Sequence, residues 1–171
     1  MNNHKAFKVG DKIIDHGQTH RIFKIGKKKT FDAQEKRIIY YRPCLIDDND
    51  GKITYSIPIK NIDKTQIRRP ILEKELREIL EELSEAIEEE DQLNTVQLRE
   101  TLRLNSPHKT AQILKILWFD KDDESTNFSK QKQDVFKTAM KRLIEEVALV
   151  TKTSLIQARQ KVESALEKGK K

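Results

Sequence analysis

A single cysteine, Cys44, stands in 171 residues, so neither an intramolecular disulfide framework nor a multi-cysteine zinc site can form. Long apolar runs are missing too, and nothing approaches the roughly 18 consecutive apolar residues of a membrane span. The polar opening from Met1 to Asp11 lacks the apolar core of a secretion signal. These absences lead us to expect a cytoplasmic protein with no membrane partner. Hydrophobic residues reach only 36%, no more than the charged fraction of 36%. So polar a chain has little core material per residue, which favours two modest cores over one thick one.

The usual catalytic signatures are absent as well. Gly26-Lys27-Lys28-Lys29-Thr30 lacks the first glycine and the spacing of a phosphate-binding loop. There is no HExxH pair and no Gly-x-Ser-x-Gly elbow. His16 and His20 have the four-residue spacing of a helical metal pair, but they flank Gly17 in a predicted turn. They read as two turn or strand-end histidines. Asp47, Asp48 and Asp50 resemble part of a calcium loop without its downstream bidentate glutamate, and read as a hairpin tip. Cys44 has no assigned histidine partner and is expected to pack as a small hydrophobe. The expectation is a non-enzyme with no metal and no cofactor.

What the sequence does have is charge, unevenly spread. Residues 1–70 carry 16 Lys and Arg against 8 Asp and Glu, a net +8. Residues 71–104 carry 4 against 11, a net −7, and residues 105–171 carry 14 against 9, a net +5. A basic block, an acidic segment and a basic end suit a polyanion, an acidic protein surface or both, although a solvated lysine-rich face would read the same.

The hydrophobic period changes at Pro70. Before it, Ile13-Ile14, Arg21 to Ile25, Arg37 to Tyr41 and Ile53 to Ile59 read as four short strands, with turns at Asp15-His16-Gly17 and at Asp47 to Gly51. Such closely spaced strands predict a small, strongly bent barrel. Pro58 cannot donate a ladder hydrogen bond, so its strand is expected at an edge, where another protein's strand can pair. After Pro70, an apolar stripe of Leu72, Leu76, Ile79, Leu80, Leu83 and Ile87 predicts a helix with an acidic outer face. A shorter helix is expected over Thr95 to Leu104, and another opens at Ser106-Pro107 and passes Trp118, which reads as a core anchor. Asp120 to Ser125 reads as a loop. Ser129 caps a long helix with Phe136, Ala139, Met140, Leu143, Ile144 and Val147 inward; Ser154 caps the last, with Leu155, Ala158, Val162 and Ala165 inward. The expected class is therefore α+β in two domains. Residues 1–69 form the β domain and residues 70–171 a bundle of about five helices.

The order of these features is similar to a known family. Phe7-Lys8-Val9-Gly10-Asp11-Lys12-Ile13-Ile14 followed by His16-Gly17 resembles the opening of the CarD/CdnL family of bacterial transcription regulators, whose N-terminal module is shared with the transcription-repair coupling factor. Tyr55-Ser56-Ile57-Pro58, then Asn61-Ile62 and Ile67-Arg68-Arg69-Pro70, resembles that module's last strand and exit. Ala111 to Trp118 resembles the family's helix ending in Leu-Trp, and Ser129 to Leu149 resembles its long helix. The resemblance implies a Tudor-like β module that binds the β subunit of bacterial RNA polymerase. It also implies a helical domain that lies on promoter DNA and stabilises the open complex.

By position, the resemblance makes Tyr41, Ser56 and Pro58 the polymerase-facing residues, with Lys28 in the run Lys27 to Lys29 adding attraction to an acidic lobe. Ser56 replaces a larger or basic residue. The family's tryptophan wedge falls near residues 91–93, where this chain has no aromatic, and Glu88, Glu89 and Glu90 precede it. Arg99, Arg103 and Lys109 remain as phosphate contacts for weak, sequence-independent DNA binding, with Lys137, Lys141 and Arg142 as a second possible location. The chain is expected to be a monomer. Two other readings stay open: a polymerase-bound adaptor whose acidic helix recruits a protein instead of DNA, and an RNA-binding barrel stacking bases on Tyr40, Tyr41 and Tyr55.

Overall fold

Asp15 and Gln18 pair across a two-residue turn in which His16 and Gly17 both take positive φ, 48° and 75°. That is the type I′ geometry whose twist matches antiparallel strands. The computed structural model describes residues 7–29, 35–44, 53–86, 94–122 and 128–170. The hairpin tip at Asp47 to Gly51, Ile87, the Glu88 to Glu90 run and the wedge position at 91–93 lie outside them. The chain divides into two compact units, residues 1–70 and 71–171.

The first unit is a four-stranded antiparallel sheet in sequence order: β1 (Lys12–Asp15), β2 (Gln18–Lys29), β3 (Glu35–Pro43) and β4 (Tyr55–Pro58). The sheet is not closed, because β1 and β4 stand at its two edges. A single bridge between Ile14 and Arg68 lays the exit segment beside β1. β2 carries a register shift between Ile22 and Lys24, an extra residue at Phe23 that bends the strand. Pro58 ends the edge strand β4 and continues into a 3-10 turn over Ile59–Lys64. One face buries Ile13, Ile22, Ile39, Tyr41 and Ile62, with Ile25 and Ile57 packed against them. Arg69 closes the unit, its guanidinium 4.6 Å from the Phe7 ring centre and 3.1 Å from the Asp11 carboxylate.

Among its described residues the second unit has five helices: α1 (Glu73–Ser84), α2 (Thr95–Arg103), α3 (Pro107–Asp122), α4 (Lys130–Thr151) and α5 (Leu155–Lys168). The expected caps at Ser129 and Ser154 form, and Asn94 adds one at α2. Ser129 accepts from the Lys132 amide, and Ser154 and Gln157 form a capping box, as do Asn94 and Gln97. Leu114, Leu117, Ala139, Leu143, Val147, Val162 and Leu166 form one continuous core with Ile79 and Leu83. Trp118 is packed against this core and stacked on Phe136, ring centres 6.0 Å apart.

Three expectations are corrected. Leu72 is 75% exposed and only caps α1, because the Ile71 amide is drawn to the buried Glu146 carboxylate at 3.1 Å and the helix begins after it. Leu155 is 41% exposed at the first position of α5, before the helix meets the core. Asp120 to Asp122 are helical rather than loop, with Asp120 held 2.6 Å from Lys132 of α4. Among the described residues, no helix is long and apolar enough to cross a membrane.

Candidate docking face of the sheet

β3 is apolar on both sides, with Ile38-Ile39-Tyr40-Tyr41 in succession. Alternation therefore sends neighbouring side chains to opposite faces. Ile39 and Tyr41 are 1% and 4% exposed and face the core. Tyr41 pairs across the sheet with Ile22 and Tyr55, and Tyr40 with Lys24 and Ser56. The next rung on Tyr40's side sets Gly26, Ile38 and Pro58 in a row. Ser56 and Pro58 thus share a face with Tyr40 and Ile38, and Tyr41 is on the other.

Tyr41 is fixed where it lies. Its hydroxyl donates to the Asp15 carboxylate at 2.8 Å, and its ring stacks on Tyr55 at 5.5 Å and meets the edge of His20 at 5.3 Å. Burial first, then the hydrogen bond and charge of Asp15, holds its phenol protonated well above the ordinary range. His20 is itself buried, with Nδ1 donating to the Gln18 carbonyl at 2.9 Å, and burial pushes its proton affinity below the usual 6.5. The resemblance carries a contact role onto Tyr41; the structure gives that residue a place in the core. The two histidines share no site: His16 is exposed in its turn and His20 is enclosed. Among the described residues no group of three His, Cys, Asp or Glu side chains could hold a metal ion. Cys44 is half-buried and contacts the Thr19 carbonyl at 3.6 Å.

The outer face is aromatic and basic. Tyr40 lies across Gly26, where an added Cβ would sit 3.4 Å from the ring. The Lys24 ammonium is 5.5 Å from the Tyr40 ring centre, and the Phe23 ring centre lies 6.5 Å away. The bulge exposes Phe23, and the Arg42 guanidinium covers its ring at 5.4 Å. Ser56 is exposed, Pro58 half-buried and Lys28 exposed further along β2. Phe23 and Arg42 are residues that sequence reasoning missed, and Tyr40 entered it only as a base-stacking candidate. The signal that could have found them is the alternation in Tyr55-Ser56-Ile57-Pro58-Ile59, once its register on β3 is known. The base-stacking trio does not assemble, because Tyr41 is buried and its exposed side is covered by Tyr55.

On the helical unit, Arg99 and Arg103 lie one turn apart on the exposed side of α2, opposite the buried Leu98 and Leu102. Arg103 is paired with Glu100 at 2.8 Å. Lys109 is exposed in the first turn of α3, with its ammonium 3.1 Å from Gln112. Lys137 and Lys141 are exposed on α4. Arg142 is half-buried and donates to the Leu102 carbonyl at 2.5 Å, capping the end of α2. Burial lowers its proton affinity, and its role is structural.

No protein-family model matches the chain, and no curated protein matches it at a significant level.

Proposed function

We propose that this chain is a non-enzymatic transcription regulator of the CarD/CdnL type. Its Tudor-like β unit docks on the β subunit of bacterial RNA polymerase, and its helical unit makes weak, sequence-independent contact with promoter DNA through Arg99, Arg103 and Lys109. One observation carries the docking step: β4 is an edge strand that sets Ser56 and Pro58 on the same face as the Tyr40 ring. An edge of this kind offers main-chain groups for affinity and alternate side chains for specificity. Lys24, Lys28 and Arg42 surround it with positive charge suited to an acidic partner. Open-complex stabilisation follows from joining two weak contacts, polymerase and DNA, in one chain.

The acidic outer side of α1, where Glu78, Glu81 and Glu85 are exposed, favours the adaptor reading for the helical unit. Titration of the full chain against the purified polymerase β lobe tests the docking step. Micromolar binding, weakened at least roughly tenfold by Pro58→Ala or Tyr40→Thr (about 1.4 kcal/mol), supports it. Absence of binding to the lobe overturns it. Fork-junction DNA that binds the full chain and loses affinity in an Arg99→Gln/Arg103→Gln variant supports the DNA contact, and unchanged affinity hands the helical unit to the adaptor reading.

A further inference from the structure

α1 and α5 pack side by side, and their ends meet at Gly169, where an added Cβ would stand 2.8 Å from the Glu85 carbonyl oxygen and 3.0 Å from that of Leu83. The two helices therefore run in the same direction. An open groove of about 650 Å³ lies between them. Small side chains leave this space: Ser84 on α1, and Ser164 and Ala165 on α5. Leu80, half-buried, lines it beside them.

The two helices carry five cations. Lys74 and Arg159 are paired along their own helices, with Glu78 and Glu163. The other three, Arg77, Lys161 and Lys168, are exposed and all line the groove, and among the described residues they make no ion pair. Glu81 is the one carboxylate among the lining residues, so three positive charges face one negative. The uncharged groups keep hydrogen-bonding capacity. Ser84 donates to the Leu80 carbonyl at 2.6 Å, which leaves its oxygen able to accept. Gln157 spends its carbonyl oxygen on the Ser154 amide at 3.2 Å, which leaves its N–H groups to donate. Gln160 and Ser164, one turn apart on α5, line the groove with both donors and acceptors.

A ligand that fits this groove carries separated negative charges with donors and acceptors between them. A partner helix would need a row of apolar anchors, and Leu80 and Ala165 are the only apolar side chains in the lining. A nucleic-acid strand would find no aromatic side chain there to stack on, and its phosphates would meet Glu81 with nothing to donate. An extended peptide brings both carboxylates and main-chain N–H groups, and the latter can donate to Glu81. Lys161 and Lys168 are seven positions apart, about 10.5 Å along the helix, which an extended chain covers in about three residues. We propose that the α1–α5 groove binds an extended acidic peptide segment of a partner protein. Carboxylates about three residues apart meet Lys161 and Lys168, with Arg77 across the groove, and the peptide main chain bonds to Gln157, Gln160 and Ser164. The site belongs to the helical unit alone and does not depend on polymerase docking.

The test is fluorescence anisotropy of the full chain at low salt with a labelled, capped peptide of about seven residues, glutamate at every third position and serine between. Submillimolar binding is expected, with amide shifts of the nitrogen-15-labelled chain moving at Gln160, Ser164 and Ala165. Lys161→Gln/Lys168→Gln removes two exposed ion pairs and should weaken binding roughly tenfold (about 1.4 kcal/mol). Ser164→Leu keeps every cation but fills the space, and should weaken binding at least as much. Ser164 is exposed and leucine is a strong helix former, so folding is retained, and Trp118 fluorescence during urea unfolding verifies it. Three results overturn the inference: no binding at millimolar peptide, binding that Ser164→Leu leaves intact, or an oligothymidylate of equal charge held in the groove as tightly. The second would mean that loose surface charge holds the peptide, and the third that the groove takes nucleic acid. Pro58→Ala and Arg99→Gln/Arg103→Gln should bind the peptide as the unaltered chain does, so failure here is separate from failure of polymerase docking or of the DNA contact.

Discussion

Tyr40 and Tyr41 are consecutive in sequence and should respond in opposite ways to substitution. Tyr41→Phe keeps the ring on Tyr55 and His20 and removes only the hydroxyl that donates to Asp15 at 2.8 Å. Hydrogen bonds to a charged acceptor contribute about 1.5–3 kcal/mol. The Asp15 side chain is 13% exposed, so water replaces the lost donor only in part, and a cost of about 2 kcal/mol is expected. In a unit of this size about 1 kcal/mol moves the melting point by roughly 4–8 °C, which places the shift near 8–16 °C. Tyr40→Thr removes a half-buried ring but keeps a good strand former; the Lys24 contact it loses contributes about 0.5–1 kcal/mol at an exposed site.

The chain supplies its own probes. All three tyrosines lie in the first unit and the one tryptophan, Trp118, in the second. Tyrosine near-ultraviolet circular dichroism during urea unfolding therefore follows the sheet, and tryptophan fluorescence follows the helices. Tyr41→Phe should lower the tyrosine midpoint and leave polymerase-lobe affinity unchanged for the molecules still folded. Tyr40→Thr should lower that affinity and hardly move the midpoint. The assignment of faces is refuted if Tyr41→Phe leaves the midpoint alone while Tyr40→Thr lowers it by the larger amount.

Two further outcomes are expected. His20 sits among Asp15, His16, Tyr41 and Tyr55, and burial lowers its proton affinity below the unfolded value of 6.5. The unfolded chain then takes up the proton first as pH falls, so the stability from neutral His20 is complete above pH 6.5 and is lost below it. The slope reaches at most about 1.4 kcal/mol per pH unit. Tyrosine-detected urea midpoints measured downward from pH 7 should show this limb, and His20→Gln should flatten it. Lys36→Glu turns the rung with Lys28 into an opposite-charge pair and should stabilise the sheet by about 0.2–1 kcal/mol. A tyrosine-detected urea midpoint that falls instead would mean that the rung is a packing feature.

The helical unit was legible because its signals are local. Ser129, Ser154 and Pro107 mark helix starts whatever surrounds them, and Leu76, Ile79 and Leu83 hold their spacing over a whole helix. The errors fall at ends, where Leu72 and Leu155 continue the apolar spacing just outside or at the first position of a helix. There a long-range contact, such as Glu146 with the Ile71 amide, decides the start. β4 was also legible as an edge, since Pro58 cannot donate within a ladder. β3 was not. Ile38-Ile39-Tyr40-Tyr41 gives no alternation to choose between its two faces, and the choice depends on the Asp15 hydrogen bond and on pairing with β2 and β4. Placing Tyr41 beside Ser56 and Pro58 needed a register that no single strand contains.

Net charge was the least informative signal until the partners of each charge were known. Lys115 donates to the Glu82 and Ala86 carbonyls at the end of α1 at 2.7 and 3.4 Å, and Arg142 does the same for α2. Lys132 is bound to Asp120, Arg69 to Asp11 and Phe7, and Lys170 to Asp122 with its ammonium 4.9 Å from the Trp118 ring centre. These cations complete helix ends and cover rings, so they add to the basic total without marking a ligand. The sheet itself sets cation beside cation, Lys12 opposite Arg21, Arg21 opposite Arg42 and Lys28 opposite Lys36. Basic groups thus serve helix ends, rings and sheet rungs alike, and the total of +6 names no ligand by itself.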